Sequence, residues 1–553
     1  MIPRGATTAR RIAVTLLEHP MVPWALALAF AVAGIVDVAL DLHLHDEGRL
    51  THIFARMTWE RPVDLLFLQK SRPPVSALYA PFAALGPHAF GVAHVLVAAI
   101  AIPLLAQLAR AFGHLWPNLA AVVLAASPLY FACAAAGVSN SDGVAIAILG
   151  AWLWLARRRP FVGAVVLGML PWIRAELAPL PLMLLLTCSA TDRKAAWSGV
   201  LMFPVLYALT GALVHGDVLW WAHYPPSLPE PMEHHPLWAQ QDGRVTLNSL
   251  SATLLALSPA WLLAIPLGAG SAARREIPAA QWAWLAFAAL EIGVLLALPR
   301  WRVFNFDLSP RYLLGVVPAL ALALSSRVES LADDAGLRER IAEFGLLAAG
   351  AAIGFAVALG GAHPAALAAT AVLAASITVA RAGQPRAAAI GVAALLLAGP
   401  FGFADGTHLR RDLMSPELDE IRARLAEEQR LHHRPIFTNA PLLSSVLVGA
   451  EYGPVHYIVQ ADQLHEIVAL SNPTSGQRQG LLEALAHDFY GPPIFADGFT
   501  PAQLPTDAVF VLVDDPRLEL VMPAALWDPA LRMHTASARL RIMEFAKPTV
   551  VRP

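Results

Sequence analysis

Charge is what this chain of 553 residues has least of: only 14% of them are Asp, Glu, Lys or Arg, against about 25% in a typical soluble domain. A water-facing surface cannot be built on that supply. With 57% hydrophobic residues and a mean hydropathy of +0.55, lipid replaces water as the main solvent. Cysteine is sparse too. Cys133 and Cys188 each lie inside an apolar run and read as small core residues, not as a disulfide or a metal site. There is no basic excess either: the net charge of -2 argues against a polyanionic partner and against nucleic acid. No repeat and no low-complexity tract stands out.

What the chain does have is apolar runs near the roughly 20 residues that cross a bilayer as helix. They fall near 22–40, 88–110, 117–136, 140–156, 160–173, 176–189, 195–214, 248–268, 280–298, 311–325, 344–360, 364–380 and 387–402, about thirteen spans in all. The runs at 160–173 and 176–189 are short and separated by "WIRAE", the pattern of half-length helices. The basic N-terminal stretch "MIPRGATTARRIAVTLLEHP" precedes a run too long for a signal-peptide core, so an uncleaved first span is expected. Arg10 and Arg11, Arg157 to Arg159, Arg193 with Lys194, Arg274 with Arg275, and Arg381 with Arg386 all fall on one side of this count. The positive-inside rule makes that side cytoplasmic.

The opposite side then receives 41–87, 215–247 and everything after about 403. The tail carries strand-like runs at "PIFTNA", "VHYIVQ", "AVFVLVDD" and "LRIMEF" with helical or loop segments between. The expected fold is therefore a polytopic α-helical membrane domain, 1–402, followed by an extracytoplasmic α/β domain, 403–553.

Directly after the first span the chain reads "DLHLHDEGRLTHIFARM". Leu50, Ile53, Phe54 and Met57 recur at helical spacing, which predicts an amphipathic helix on the outer leaflet. Asp46 and Glu47 are expected just ahead of it, at the water boundary. A carboxylate there could accept a proton from an attacking hydroxyl or amine, and the other could hold a divalent cation or orient the acceptor. Capping of the helix N-terminus is the alternative reading. His43, His45 and His52 form no short ligand motif; His45 and Glu47 stay as metal-ligand candidates.

Further along, "QKSRPPVSALYAPF" puts Lys70 and Arg72 before a double proline that predicts an extended entry into the second span. The two cations could bind a phosphate at the membrane face, or snorkel. "PWIRAEL" puts Arg174 and Glu176 between two short spans, either as functional charges or as a structural ion pair. "NFDLSPRYLLGVVPAL" puts Arg311 and Tyr312 at the start of another span. Asp142, in "GVSNSDGVAIAIL", reads most simply as a helix N-cap. One reading joins most of these: cations from several helix ends converge on a lipid phosphate beside a carboxylate at the water boundary.

The order of these motifs, with "KSRPPVSALYAPFAALG", "WIRAELAPLPL" and "SPRYLLGVVPALAL", resembles the C-type glycosyltransferases over roughly residues 20 to 400, particularly the protein O-mannosyltransferase and lipid A aminoarabinose transferase branch. The resemblance implies an inverting transferase that takes a sugar from a polyprenyl-phosphate donor, undecaprenyl phosphate in a bacterial inner membrane, to a lipid, glycan or protein acceptor on the periplasmic side. By position Asp46 becomes the catalytic carboxylate with Glu47 beside it. Arg72 takes the place of the family's lysine before the double proline, and Arg174 and Arg311 become donor-phosphate residues. The aminoarabinose transferases carry an acidic residue just before that lysine. Here it is Ser71, which argues against a metal site at that position and against copying their substrate. A transporter or flippase of a lipid-linked or small solute is the rival, and would call for related halves and polar residues near mid-membrane.

Overall fold

The computed structural model describes residues 18–40, 46–60, 72–219, 278–301, 310–330 and 434, together with six strands between 436 and 545. The spans expected at 248–268, 344–360, 364–380 and 387–402 lie outside the described residues, as does the aromatic loop around Trp220, Trp221, Tyr224 and Trp238. By compactness the chain divides into Met1–His43, Gly91–Val205 and Gly243–Arg410 on the one hand, and Leu44–Phe90, Leu206–Asp242 and Arg411–Pro553 on the other.

In the first unit, α1 (Val22–Leu40) shows why an apolar run with no amphipathic pattern folds as it does. Ala27, Phe30, Ala31, Gly34 and Val38 are buried against the protein. Leu28, Val32, Val36 and Leu40 form an exposed stripe on the other face. A helix apolar on both sides has one side for protein and one for lipid. The helix α4 (Pro87–Ala111) is also long and apolar enough to cross a membrane, as is α11 (Arg193–His215) over Arg193–Leu213. Among the described residues these are three, or four if a bent pair is counted as one span.

That bent pair corrects the single span expected at 117–136. It is two helices, α5 (Asn118–Ala125) and α6 (Pro128–Ala135). The cause is local. The hydroxyl of Ser127 accepts a hydrogen bond from the Tyr130 amide, and Pro128 follows at the first helical position, a start signal for a new helix. The core runs from Phe30 through this pair, with Phe30 at 5.2 Å edge-on to Phe131 and the Tyr130 hydroxyl donating to the carbonyl of Ala98.

Next come α7 (Ser139–Ala151), which ends in a π turn at Trp152–Ala156, and α8 (Pro160–Gly168). They cross at glycines: a Cβ on Gly163 would lie 2.5 Å from the carbonyl oxygen of Gly150. Small residues at a helix crossing allow the backbone approach that drives association in lipid. The expected half-length helices are found as α8 with α9 (Leu170–Ile173), and α10 (Pro179–Leu186). The helices α12 (Ala279–Trp301) and α13 (Val316–Ser330) pack on each other, with a 3-10 turn, Pro310–Leu313, ahead of α13.

In the second unit, α2 (Asp46–Glu60) packs against α3 (Pro73–Ala83). The Trp59 indole donates to the carbonyl of Ala80 at 2.7 Å, and the His52 ring meets Phe90 edge-on. Phe54 is buried, but so are Thr51 and His52. The helix thus beds into protein with polar residues as well as with Phe54 of the predicted stripe. The strands form one six-stranded sheet in the order β3-β2-β1-β4-β6-β5. The four expected strands are β1 (Ile436–Thr438), β2 (Val455–Val459), β4 (Val509–Val513) and β6 (Leu540–Phe545); β3 (Ile494–Phe495) and β5 (Leu531–Ala536) are additional. The first four strands run parallel, and β6 pairs antiparallel with both β4 and β5.

Candidate functional site

Between α9 and α10 the helix breaks. Arg174 takes an extended backbone, with φ -148° and ψ 120°, and a short 3-10 turn, Ala175–Leu177, follows. The break frees the Arg174 side chain to fold back: its Nε donates to Glu176 Oε1 at 2.7 Å. Asn140, in the first turn of α7, donates from Nδ2 to the same oxygen at 3.2 Å and to the carbonyl of Arg311 at 3.0 Å. The Arg174 guanidinium lies 5.0 Å from the centroid of the Tyr312 ring, and that of Arg311 lies 5.2 Å from the same centroid.

Packing holds this knot in place. Leu177 is wedged between two glycines, since a Cβ would come within 2.5 Å of its Cδ1 at Gly143 and within 2.7 Å of its Cδ2 at Gly315. The N-terminus of α7, the break at Arg174 and the 3-10 turn of Arg311 are therefore fixed against one another. Arg174 is 7% exposed and Asn140 4%. Two guanidiniums on one ring, with one carboxylate hydrogen-bonded to one of them, leave positive potential in a poorly solvated place. A phosphate suits that potential, because guanidinium N–H groups match its oxygens.

Asp142 corrects the capping reading. Val138 is the N-cap of α7 and no side chain caps it. With the helix starting at Ser139, Asp142 is past the cap position. Its Oδ2 lies instead 3.1 Å from Nδ1 of His94 on α4, both side chains being buried. This His–Asp contact joins α4 and α7.

The second unit holds the other candidates. Asp46 and Glu47 are the first two residues of α2 rather than a turn before it, in keeping with the preference of carboxylates for the first helical turn. Arg72 also differs from expectation. It is the N-cap of α3 in the left-handed region, with φ 47° and ψ 66°, and Pro73 and Pro74 open an 11-residue helix instead of an extended entry into α4. Proline is well suited to the first turn. The left-handed backbone at a bulky residue is strained, by about 1–2 kcal/mol.

Arg174, Arg311 and Tyr312 are thus brought together in one cluster, with Asp142 one residue from Gly143 in its wall. Lys70 and His45 lie outside the described residues. Among the described residues no group of three His, Cys, Asp or Glu side chains is placed to hold a metal ion. The cluster also contains residues that the sequence reading passed over. Asn140 carries no charge to flag it. His94 and Glu291 are single ionisable residues within apolar runs, a signal that by default marks function.

No family model matches the chain, and no curated protein does either. Two solved structures do match. ArnT from Cupriavidus metallidurans bound to undecaprenyl phosphate has a TM-score of 0.55 at 16% identity, with 94% of this chain and 97% of that chain covered. The apo state of the same protein gives a TM-score of 0.51 with the same identity and coverage. The chain has the ArnT fold. That fold spans nearly the whole length of both proteins. It bears out the architecture expected from the motif order.

Proposed function

We propose that this protein is an integral-membrane, inverting glycosyltransferase that moves a sugar from a polyprenyl-phosphate donor to an acceptor on the periplasmic side. The observation that carries the proposal is the pairing of Arg174 and Arg311 across Tyr312, with Glu176 and Asn140 in support, in a chain with the ArnT fold. The neighbouring ArnT structure holds undecaprenyl phosphate, the class of anion this cationic cluster suits.

In this reading Arg174 and Arg311, with Lys70 and Arg72, bind the donor phosphate. An acceptor hydroxyl or amine attacks the anomeric carbon from the face opposite the phosphate. The carbon–oxygen bond to phosphate breaks, and the phosphate takes the electron pair as an anion stabilised by guanidinium groups. Asp46 receives the proton of the acceptor, and Glu47 beside it orients the acceptor. Tyr312 and Asp142 line the acceptor side. The acceptor is a lipid, glycan or protein. The protein sits in a bacterial inner membrane with about thirteen spans over 1–402, a cytoplasmic N-terminus and a periplasmic α/β domain over 403–553.

The test is native mass spectrometry of the purified wild type beside Asp46→Asn, reading the mass of any co-purified lipid. A sugar-bearing polyprenyl phosphate retained more fully by the variant supports a transferase stalled before chemistry. If neither protein holds such a lipid even after it is added, the donor assignment fails and a transporter becomes the better reading.

A further inference from the structure

One carboxyl group beside the cluster has no role in this scheme. Glu291 lies within α12 and is only 4% exposed. Neither of its carboxylate oxygens has a hydrogen-bond partner among the described residues. Its charged neighbours are Glu176 and Arg174, the pair at the centre of the cluster. The carboxylate rests against the segment that carries Arg311 and Tyr312: a Cβ on Gly315 would come within 2.9 Å of Oε2 and 3.1 Å of Oε1. The oxygens thus approach the backbone at residue 315 as closely as they do because no side chain stands there.

A buried carboxyl group without hydrogen bonds is unfavourable by several kcal/mol, and each such group in a native structure calls for an explanation. Arg174 does not supply one, since neither Glu291 oxygen has a hydrogen-bond partner among the described residues. An ionised carboxylate only accepts hydrogen bonds, whereas a protonated carboxyl also donates. A sugar attached to the phosphate carries several hydroxyl groups on the adjoining atoms, which can serve either form.

We infer that Glu291 is a specificity-determining residue, which accepts hydrogen bonds from hydroxyl groups of the sugar whose phosphate is held by Arg174 and Arg311. This rests on the donor reading above and deepens it: the phosphate subsite and the sugar subsite are divided between the Arg174–Tyr312–Arg311 stack and Glu291. A site built to hydrogen-bond a hydroxyl discriminates strongly against ligands that lack it, because the buried acceptor is then left unpaired.

The experiment compares the affinity of the full-length protein in nanodiscs for bare undecaprenyl phosphate with that for undecaprenyl phosphate carrying glucose, mannose, galactose or 4-amino-4-deoxyarabinose. In the wild type at least one sugar-bearing lipid is expected to bind tenfold or more tighter than the bare carrier, about 1.4 kcal/mol. In Glu291→Gln that preference is expected to fall to about twofold or less, while the affinity for the bare carrier is retained. If Glu291→Gln does not fold, Glu291→Asp carries the test, because the shortened carboxylate should change which sugar binds most tightly. Loss of bare and sugar-bearing lipids in equal proportion would make Glu291 a structural residue and overturn the inference. So would a wild type with no preference for any sugar. A wild type that binds neither kind of lipid fails the donor reading itself, which separates the two claims.

Discussion

Nδ1 of His94 lies 3.1 Å from Oδ2 of Asp142, with 0% and 1% of the two side chains exposed. The contact ties the middle of the helix bundle together, as His94 is on α4 and Asp142 on α7. The two residues should therefore act as a unit. His94→Gln and Asp142→Asn are each expected to lower thermal stability, and the double variant should lose less than the sum of the two. The coupling read from such a cycle should fall within about 0.5–3 kcal/mol. Additive losses would mean that the contact contributes nothing of its own.

Arg174 Nε donates to Glu176 Oε1 at 2.7 Å, and both side chains are largely buried. Removing one partner of a buried pair leaves an uncompensated charge, at about 3–5 kcal/mol. Glu176→Ala should accordingly destabilise the protein in a detergent thermal melt. The double variant Glu176→Ala with Arg174→Leu should recover part of that loss. If it melts lower still, the pair is not what holds the break between α9 and α10.

The two guanidiniums share the ring of Tyr312. Tyr312→Phe should hold undecaprenyl phosphate within about twofold of the wild type, and Tyr312→Leu should weaken it by about tenfold. Two cation–π contacts at roughly 0.5–1 kcal/mol each account for that difference. Titration of the lipid against each variant by native mass spectrometry reads it directly. Equal behaviour of the two variants would remove the ring from the site.

Arg72 keeps a left-handed backbone that glycine would adopt more readily. Arg72→Gly is expected to melt at or above the wild-type temperature, because relief of strain worth about 1 kcal/mol offsets the lost side chain. Its transferase activity should nevertheless fall at least tenfold if the guanidinium binds the donor. A variant that is both stable and fully active would exclude Arg72 from the donor site.

At the crossing of α7 and α8, Gly163→Ala should be among the more damaging small substitutions. The new methyl group would meet the Gly150 carbonyl and the backbone of Trp154 at 2.5 and 2.6 Å. Overpacking of this kind typically amounts to about 1–3 kcal/mol. Thermal melts of Gly163→Ala beside Ala164→Gly, which removes a methyl group one position on, would show whether the clash or the crossing as a whole governs stability.

How far the sequence reached can be judged residue by residue. The expected run at 22–40 and the helix Val22–Leu40 coincide, because a continuous apolar run bounded by Pro20 and polar residues has one way to satisfy its backbone in lipid. Arg174, Arg311 and Tyr312 were each singled out by charge or position within an apolar context. Their convergence on one ring was not visible, since it depends on the wedge of Leu177 between Gly143 and Gly315. Asn140 escaped because its partners lie 36 and 171 residues away, and an uncharged amide gives no signal at that range. Glu291 was hidden by averaging: one carboxylate barely lowers the hydropathy of the run around it. The double proline misled because proline favours both an extended approach and a first helical turn, and only the left-handed Arg72 decides between them.

The shortness of α8 and α9 sets a depth. From Pro160 to Ile173 they rise at most about 21 Å at 1.5 Å per residue, while the hydrocarbon layer of a bilayer is about 30 Å deep. If Arg157 to Arg159 mark the cytoplasmic face, Arg174 stops roughly 9 Å below the opposite one. A phosphate carried by a lipid must then sink beneath the level of its neighbours, or the leaflet must dimple to meet it. Such mismatch amounts to fractions of a kcal/mol per ångström. Thinner bilayers of short-chain phospholipid should therefore load the site more readily than thick ones, which makes membrane thickness itself a control on lipid binding.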